Sequence, residues 1–114
     1  MSFFDSDVVR AEMTEISELQ EDVYRNVFKF PSMNKEEKKF HVGMLERLLD
    51  KQRILYTRLS LSDDPEAKMM KQRIVESATM MGLPPDADMS TVFSNMSQML
   101  EVMKDQIDKS DSDL

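Results

Sequence analysis

The apolar residues near the end of the chain recur at helical spacing. Successive members of this seam are four, three, four, three and four positions apart: Met89, Phe93, Met96, Leu100, Met103 and Ile107. Such a narrow stripe normally packs against another helix, and half of it is methionine, whose unbranched thioether fills irregular gaps. The seam predicts a helix from Asp88 or Ser90 to about Lys109. It leaves open whether the packing helix belongs to the same chain or to another.

Cap residues and breakers predict a first and a third helix. Asp5 or Ser6 can accept hydrogen bonds from the free amides of a first turn. Pro31 ends the first helix at about residue 30, because the residue before a proline avoids the helical region. Asp64 is the equivalent cap of the third helix, and Gly82 supplies the left-handed residue that ends it.

The second predicted helix is the longest. Asn34 and Glu37 form a capping-box pair, and the helix then runs to about Leu59 without a proline. No segment shows the alternation of a strand. Short connections favour antiparallel neighbours. We therefore predict an all-α fold of about four helices, in which a long antiparallel hairpin carries two shorter helices. The long helices should overhang the short ones, and we expect a second copy of the chain to cover the overhang in a homodimer.

Length and composition narrow the class of protein. The 114 residues predict a single helical domain over 1–109 with a short acidic tail over 110–114. The absence of cysteine excludes disulfides and cysteine zinc sites. The start lacks a secretory pattern and no apolar run could span a membrane. We expect a cytoplasmic protein.

The net charge of −7 conceals an uneven distribution. Residues 1–30 carry seven acids and three bases, whereas residues 31–60 carry four acids and seven bases. Lys38, Lys39 and Arg47 belong to this basic segment, which could track phosphates or anionic lipid. Pairing with the acidic first helix is the simpler interpretation, and an acidic chain rarely binds nucleic acid.

Residues for catalysis or metal binding are sparse. His41 is the only histidine, and Glu37 precedes it by four positions. A metal site needs three or four converging ligands, so we expect a surface histidine beside a carboxylate. The acids of the first helix alternate with apolar residues and indicate a solvated face. We predict no enzymatic activity, no cofactor and no metal.

Methionines offer the clearest candidate surface. The chain has twelve, including adjacent pairs at 69–70 and 80–81, of which at least one member should turn away from the core. Gap-filling within the core is the ordinary use of methionine, and adaptable docking is the functional one. Met69, Met80 and Met99 are the candidates for docking, together with Met96 and Met103 of the seam.

Several stretches resemble a small cyanobacterial family of uncharacterised proteins. They are FKFPSM from residue 28, LERLLDKQRILYTRLSLSDDPEA from 45, ESATMMGLPPDADM from 76 and NMSQMLEVMKDQID from 95. The resemblance covers nearly the whole chain. It implies a cytoplasmic protein of a cyanobacterial cell, and it brings no activity, cofactor or site residue.

The sequence therefore favours a non-enzymatic interaction protein or adaptor. An apolar helix of a protein partner would dock on the Met-rich faces of helices three and four, and the basic side of helix two would steer an acidic partner. The alternative is a nucleic-acid or ribonucleoprotein accessory factor that uses the basic second helix. A metal-using enzyme would need ligands that the sequence does not show.

Overall fold

The structure, a computed structural model, describes residues 3–80, 82–84, 86 and 88–110. Within these residues the chain forms four α-helices and two short 3-10 helices, without strands. The α-helices are α1 (Asp7–Asn26), α2 (Lys35–Leu61), α3 (Pro65–Met80) and α4 (Met89–Ser110), and the 3-10 helices are Phe3–Asp5 and Val27–Ser32. The predicted all-α fold of four helices is confirmed. The acidic tail was predicted to begin at residue 110. In the structure Ser110 is the last residue of α4, and residues 111–114 lie outside the described residues.

Each α-helix begins at a polar side chain that accepts a first-turn amide hydrogen. The caps are Ser6, Asn34, Asp64 and Asp88. At Asn34 the predicted capping box is complete, because Glu37 accepts the Asn34 amide in return. These contacts satisfy backbone donors that would otherwise lack a partner at helix N-termini.

The end of α1 differs from the prediction. The α-helix stops at Asn26 and continues as the 3-10 helix that contains Pro31. Pro31 has no amide hydrogen to donate to the Val27 carbonyl, and its ring clashes with that carbonyl in an α-helix, so the α-helical pattern cannot continue through this segment. The side-chain amide of Asn26 also donates to the Asp22 carbonyl at 2.7 Å and competes with the helical pattern. α1 therefore has 20 residues, two fewer than α4.

α2 is the central helix, and α1 packs along one side of it. Glu12 pairs with Arg58 and Glu15 with Lys51, so the residue number falls along α2 as it rises along α1. The two helices are therefore antiparallel. Leu48 belongs to the apolar cluster that they share.

α4 packs along another side of α2. Lys104 pairs with Glu46 and Asp108 with Lys39, which makes this pair antiparallel as well. Leu49, the neighbour of Leu48, packs in a second cluster with α4. Because both flanking helices oppose α2, α1 and α4 run parallel to each other.

α1, α2 and α4 form one layer of helices, and α3 is too short to cover it. Its 16 residues extend about 24 Å, against about 40 Å for the 27 residues of α2. It packs on the end of α2 and on the first 3-10 helix, where the Phe3 amide donates to Asp64 and Ala67 is fully buried. The molecule measures 57 × 31 × 20 Å and has a radius of gyration of 16.4 Å. A compact chain of this length would have about 13 Å, so the fold is elongated and flat.

Candidate functional site

An open cleft separates α3 from α1 and α4. It has a volume of about 800 Å³ and its floor includes Gln52, Leu55 and Tyr56 of α2. The cleft exists because α3 lies on α2 without closing onto both flanking helices. A space of this size, open on one side and bounded by helices, is a common place for a ligand or a helix to bind.

Methionines from three helices line the cleft. Met13 comes from α1, Met70 from α3, and Met89 and Met96 from α4. Met89 is buried beside Phe93, whereas the other three border the open space. Thioether side chains can adopt many rotamers at little cost, so this lining can adapt to different apolar shapes.

A few polar groups lie among the apolar ones. Ser17 and Gln20 line the cleft from α1, and Arg73 and Ser77 line it from α3. Among the described side chains that line the cleft, Arg73 is the only one that carries a charge. Its guanidinium offers several donors in a fixed plane, which suits a carboxylate from an occupant.

The structure distributes the predicted docking methionines over different surfaces. Met96 is 45% exposed and lines the cleft. Met69 and Met80 are exposed on α3 but are absent from the cleft lining, and Met70 turns toward the cleft in place of Met69. The expectation that one member of each adjacent pair turns outward is confirmed for 69–70. Met80 is also exposed, and position 81 lies outside the described residues.

Sequence analysis missed Met13 and Met70 as cleft residues. Met13 lies on the apolar face of the first helix, and Met70 lies on the apolar side of the third helix. Their spacing indicates burial, and only the position of α3 shows that both border an open space.

The outer side of α4 carries an apolar row that shares Met96 and Met103 with the seam. We call this row the α4 stripe: Val92, Met96, Met99 and Met103. Met99 is 64% exposed, and Val92 and Met103 are half-buried. Val102 lies beside the stripe and is 54% exposed. The stripe adjoins the cleft at Val92 and Met96, and its other two residues lie outside the cleft lining.

The basic residues of α2 are mostly engaged within the molecule. Lys39 lies 2.5 Å from Asp108, and Lys51 lies 2.6 Å from Glu15. In both cases the ammonium group lowers the pKa of the carboxyl that it contacts. The pairs of Lys51 with Glu15 and of Arg58 with Glu12 confirm that α2 pairs with the acidic first helix, whereas Lys39 pairs with α4.

The remaining predicted basic candidates are placed differently. The Lys38 ammonium lies 5.6 Å from the centre of the Phe30 ring, a cation–π contact. Arg47 is exposed, and its charge acts on Glu15. The three candidates therefore form no continuous cationic surface.

The expectation of a surface histidine is wrong. His41 is 3% exposed, and its ring lies 5.5 Å from that of Phe30. The 3-10 helix after α1 folds back and places Phe30 over this position, which helix periodicity alone could not reveal. Nδ1 of His41 is buried, and none of the described residues forms a hydrogen bond with it. Burial disfavours the charged imidazolium and lowers the pKa of His41.

The described residues provide neither a cluster of metal ligands nor a helix that could span a membrane. No three acidic or histidine side chains among them converge on a point where a metal ion could bind. None of the helices over these residues has the length and hydropathy needed to cross a membrane.

Comparison with known proteins gives a family without an assigned activity. Residues 1–107 match the model of a domain of unknown function, DUF1825, and the chain belongs to this family. Neither the curated proteins nor the solved structures gave a match.

Proposed function

We propose that this protein is a non-enzymatic adaptor whose cleft receives one amphipathic helix of a protein partner. The observation that carries the proposal is the open apolar space between α1, α3 and α4, lined by adaptable methionines. A helix laid in this space would cover apolar surface that α3 leaves open. Helix-in-groove recognition elsewhere uses the same combination of an apolar groove and a short amphipathic partner.

The lining defines the chemistry of the partner helix. Its buried face should carry apolar residues at spacings of three and four, to meet Met13, Met70 and Met96. An acidic residue at its edge would meet Arg73, and a backbone or amide group could bond Gln20 or Gln52.

Steering by charge rests on the cations that stay exposed. Arg73 and Arg47 can attract an acidic partner. Lys39 is already paired with Asp108, and Lys38 lies against Phe30. We propose a cytoplasmic setting in a cyanobacterial cell, on the strength of the family resemblance.

The first experiment is affinity capture from a native lysate, with and without nuclease, read by mass spectrometry. Wild type is compared with Ser17→Trp, which fills the cleft from an exposed position, and with Thr14→Trp, a matched change on α1 outside the cleft lining. We expect a partner that survives nuclease, is retained by Thr14→Trp and is lost by Ser17→Trp. Equal capture by both tryptophan variants would overturn the use of the cleft.

The same experiment distinguishes the adaptor proposal from the alternative of a nucleic-acid accessory factor. Partners that disappear with nuclease, and whose binding weakens with salt and with the triple change of Lys38, Lys39 and Arg47 to Glu, would replace the adaptor proposal.

A charge exchange then tests the contact with Arg73. Arg73→Glu should raise the dissociation constant of the complex with the recovered partner by about tenfold, because one charge-assisted contact is lost and a repulsive one appears. Changing the facing acidic residue of that partner to Lys should restore binding. Failure of every such exchange would remove Arg73 from the interface.

A further inference from the structure

We propose that two copies of this chain associate through the α4 stripe, with the two α4 helices antiparallel about a two-fold axis. This interface goes beyond the proposed function and does not depend on it. The two surfaces share Val92 and Met96 at the edge of the cleft. The homodimer expected from the sequence thereby acquires a defined surface.

The spacing of the stripe is the same in both directions. Its four residues are separated by four, three and four positions. An antiparallel copy can therefore place Met96 against Met99 of the second copy and Val92 against Met103 of the second copy. Each apolar residue then meets another, as the knobs and holes of paired helices require.

The first half of α4 has the composition of an interface. Residues 89–100 contain no charged side chain, although 32% of the whole chain is charged. The exposed polar positions there are serine, threonine, asparagine and glutamine. Interface centres are depleted in charge and enriched in methionine, whereas an ordinary solvated helix face carries charges.

The helix dipoles favour the antiparallel direction. Two antiparallel α4 helices place opposite ends of their dipoles side by side, whereas a parallel pair places like ends together. The charged residues of the second half, Glu101, Lys104, Asp105 and Asp108, lie on the side of α4 away from the stripe. Lys104 and Asp108 already pair with Glu46 and Lys39 of α2, so these charges stay outside the interface.

The surface of a single chain is large enough to supply the interface. Its accessible area is 8180 Å², whereas a compact monomer of 13.3 kDa would expose about 6,450 Å². The excess of roughly 1,700 Å² exceeds the area of about 800 Å² that each partner buries in a standard interface. An elongated layer with an apolar edge is the shape that a second copy can cover.

Association is tested by sedimentation equilibrium over the micromolar range. Met99→Glu puts a carboxylate into the stripe, and Met69→Glu makes the same change at an exposed methionine outside both the stripe and the cleft lining. We expect wild type and Met69→Glu to be dimers. Met99→Glu should raise the dimer dissociation constant at least about tenfold with an unchanged circular dichroism spectrum.

A monomeric wild type, or equal association of the two variants, would overturn the proposal. The adaptor proposal is tested at Ser17, which lies outside the stripe, so failure of one proposal is distinguishable from failure of the other.

Cysteine crosslinking tests the direction, and the chain has no native cysteine to interfere. In the proposed pair the two Met99 positions are offset by three residues, or about 4.5 Å along the axis, and the two Met103 positions by eleven residues, or about 16 Å. With a short thiol crosslinker, Met99→Cys should dimerise covalently and Met103→Cys should not. A mixture of Val92→Cys and Met103→Cys should crosslink to each other. Self-crosslinking of Met103→Cys at the rate of Met99→Cys would establish a parallel pair and overturn the antiparallel one.

Discussion

The layer of α1, α2 and α4 and the region around α3 are built from the same residue types with different results. In the layer, apolar contacts run along α2 on both sides and ion pairs flank them, such as Glu15 with Lys51 and Glu46 with Lys104. Around α3, Ala67 anchors the start of the helix, while Met70 and Arg73 border an open cleft.

The difference shows how one small domain can combine a fixed register with an adaptable surface. Paired charges at the edge of an apolar contact penalise a shift of one helix along another, even where each exposed pair adds little stability. Methionine imposes no such register. The layer should therefore behave as a rigid frame, and the α3 side should accommodate changes.

The largest expected difference between the two regions is in the cost of a truncated side chain. Leu48→Ala leaves a cavity between α1 and α2 and should lower the free energy of unfolding by about 2–5 kcal/mol. Met70→Ala should cost clearly less, because Met70 already borders the open cleft. Urea denaturation followed by circular dichroism measures both. Equal losses would mean that the cleft side is packed as tightly as the frame.

The two glycines test the backbone of each region. Gly82, after α3, has a φ of +104°, where a side chain is strained, so Gly82→Ala should lower the free energy of unfolding by about 1 kcal/mol. Beyond its chain neighbours and its own helix backbone, no atom of the described residues lies within 4 Å of a Cβ added at Gly43, within α2. Gly43→Ala should therefore raise the free energy of unfolding by about 0.5–1 kcal/mol. Thermal and urea unfolding report both values. A neutral Gly82→Ala would show that the turn after α3 can rearrange.

The smallest expected effect is a dependence of the free energy of unfolding on pH. It comes from His41 of α2, which belongs to the rigid frame. The unfolded chain protonates His41 as the pH falls through about 6.5, whereas the lowered pKa keeps the folded imidazole neutral to a lower pH. The unfolded state then binds more protons than the folded state. The contribution of neutral His41 to the free energy of unfolding is therefore fully present above about pH 6.5 and is lost as the pH falls toward the lowered pKa. Urea midpoints measured between about pH 8 and pH 5 should show this loss.

His41→Gln is the control for that measurement, because it removes the titrating group. Its urea midpoint should be flat over the same interval. The carboxyls of Glu15 and Asp108, whose pKa values are also lowered, change stability only near and below about pH 4. If the urea midpoint of His41→Gln changed with pH as steeply as that of wild type, the pH dependence would belong to other groups.

Sequence reasoning predicted the features that depend on local chemistry. Asn34 and Glu37 form the predicted capping box, and Gly82 has the predicted positive φ. Of the seam on α4, Phe93 and Ile107 are buried, and Met96, which was also a candidate for docking, is exposed.

The features that were missed depend on where separate segments meet. His41 is buried because Phe30 folds over it, and α1 ends early because a 3-10 helix that contains Pro31 covers Val27–Ser32. The cleft depends on the length and position of α3, and no periodicity within one helix encodes that position.

The direction of the helices gives the molecule an electrical polarity along its length. α1 and α4 start at the end where α2 finishes, and only three residues separate the end of α2 from the start of α3. Three helix N-termini, each equivalent to about half a positive charge, therefore gather at one end, where Asp7, Asp64 and Asp88 lie in or before the first turns. Each carboxylate lies against the positive end of a helix dipole, so the three helix starts at this end of the molecule are stabilised by charge as well as by packing.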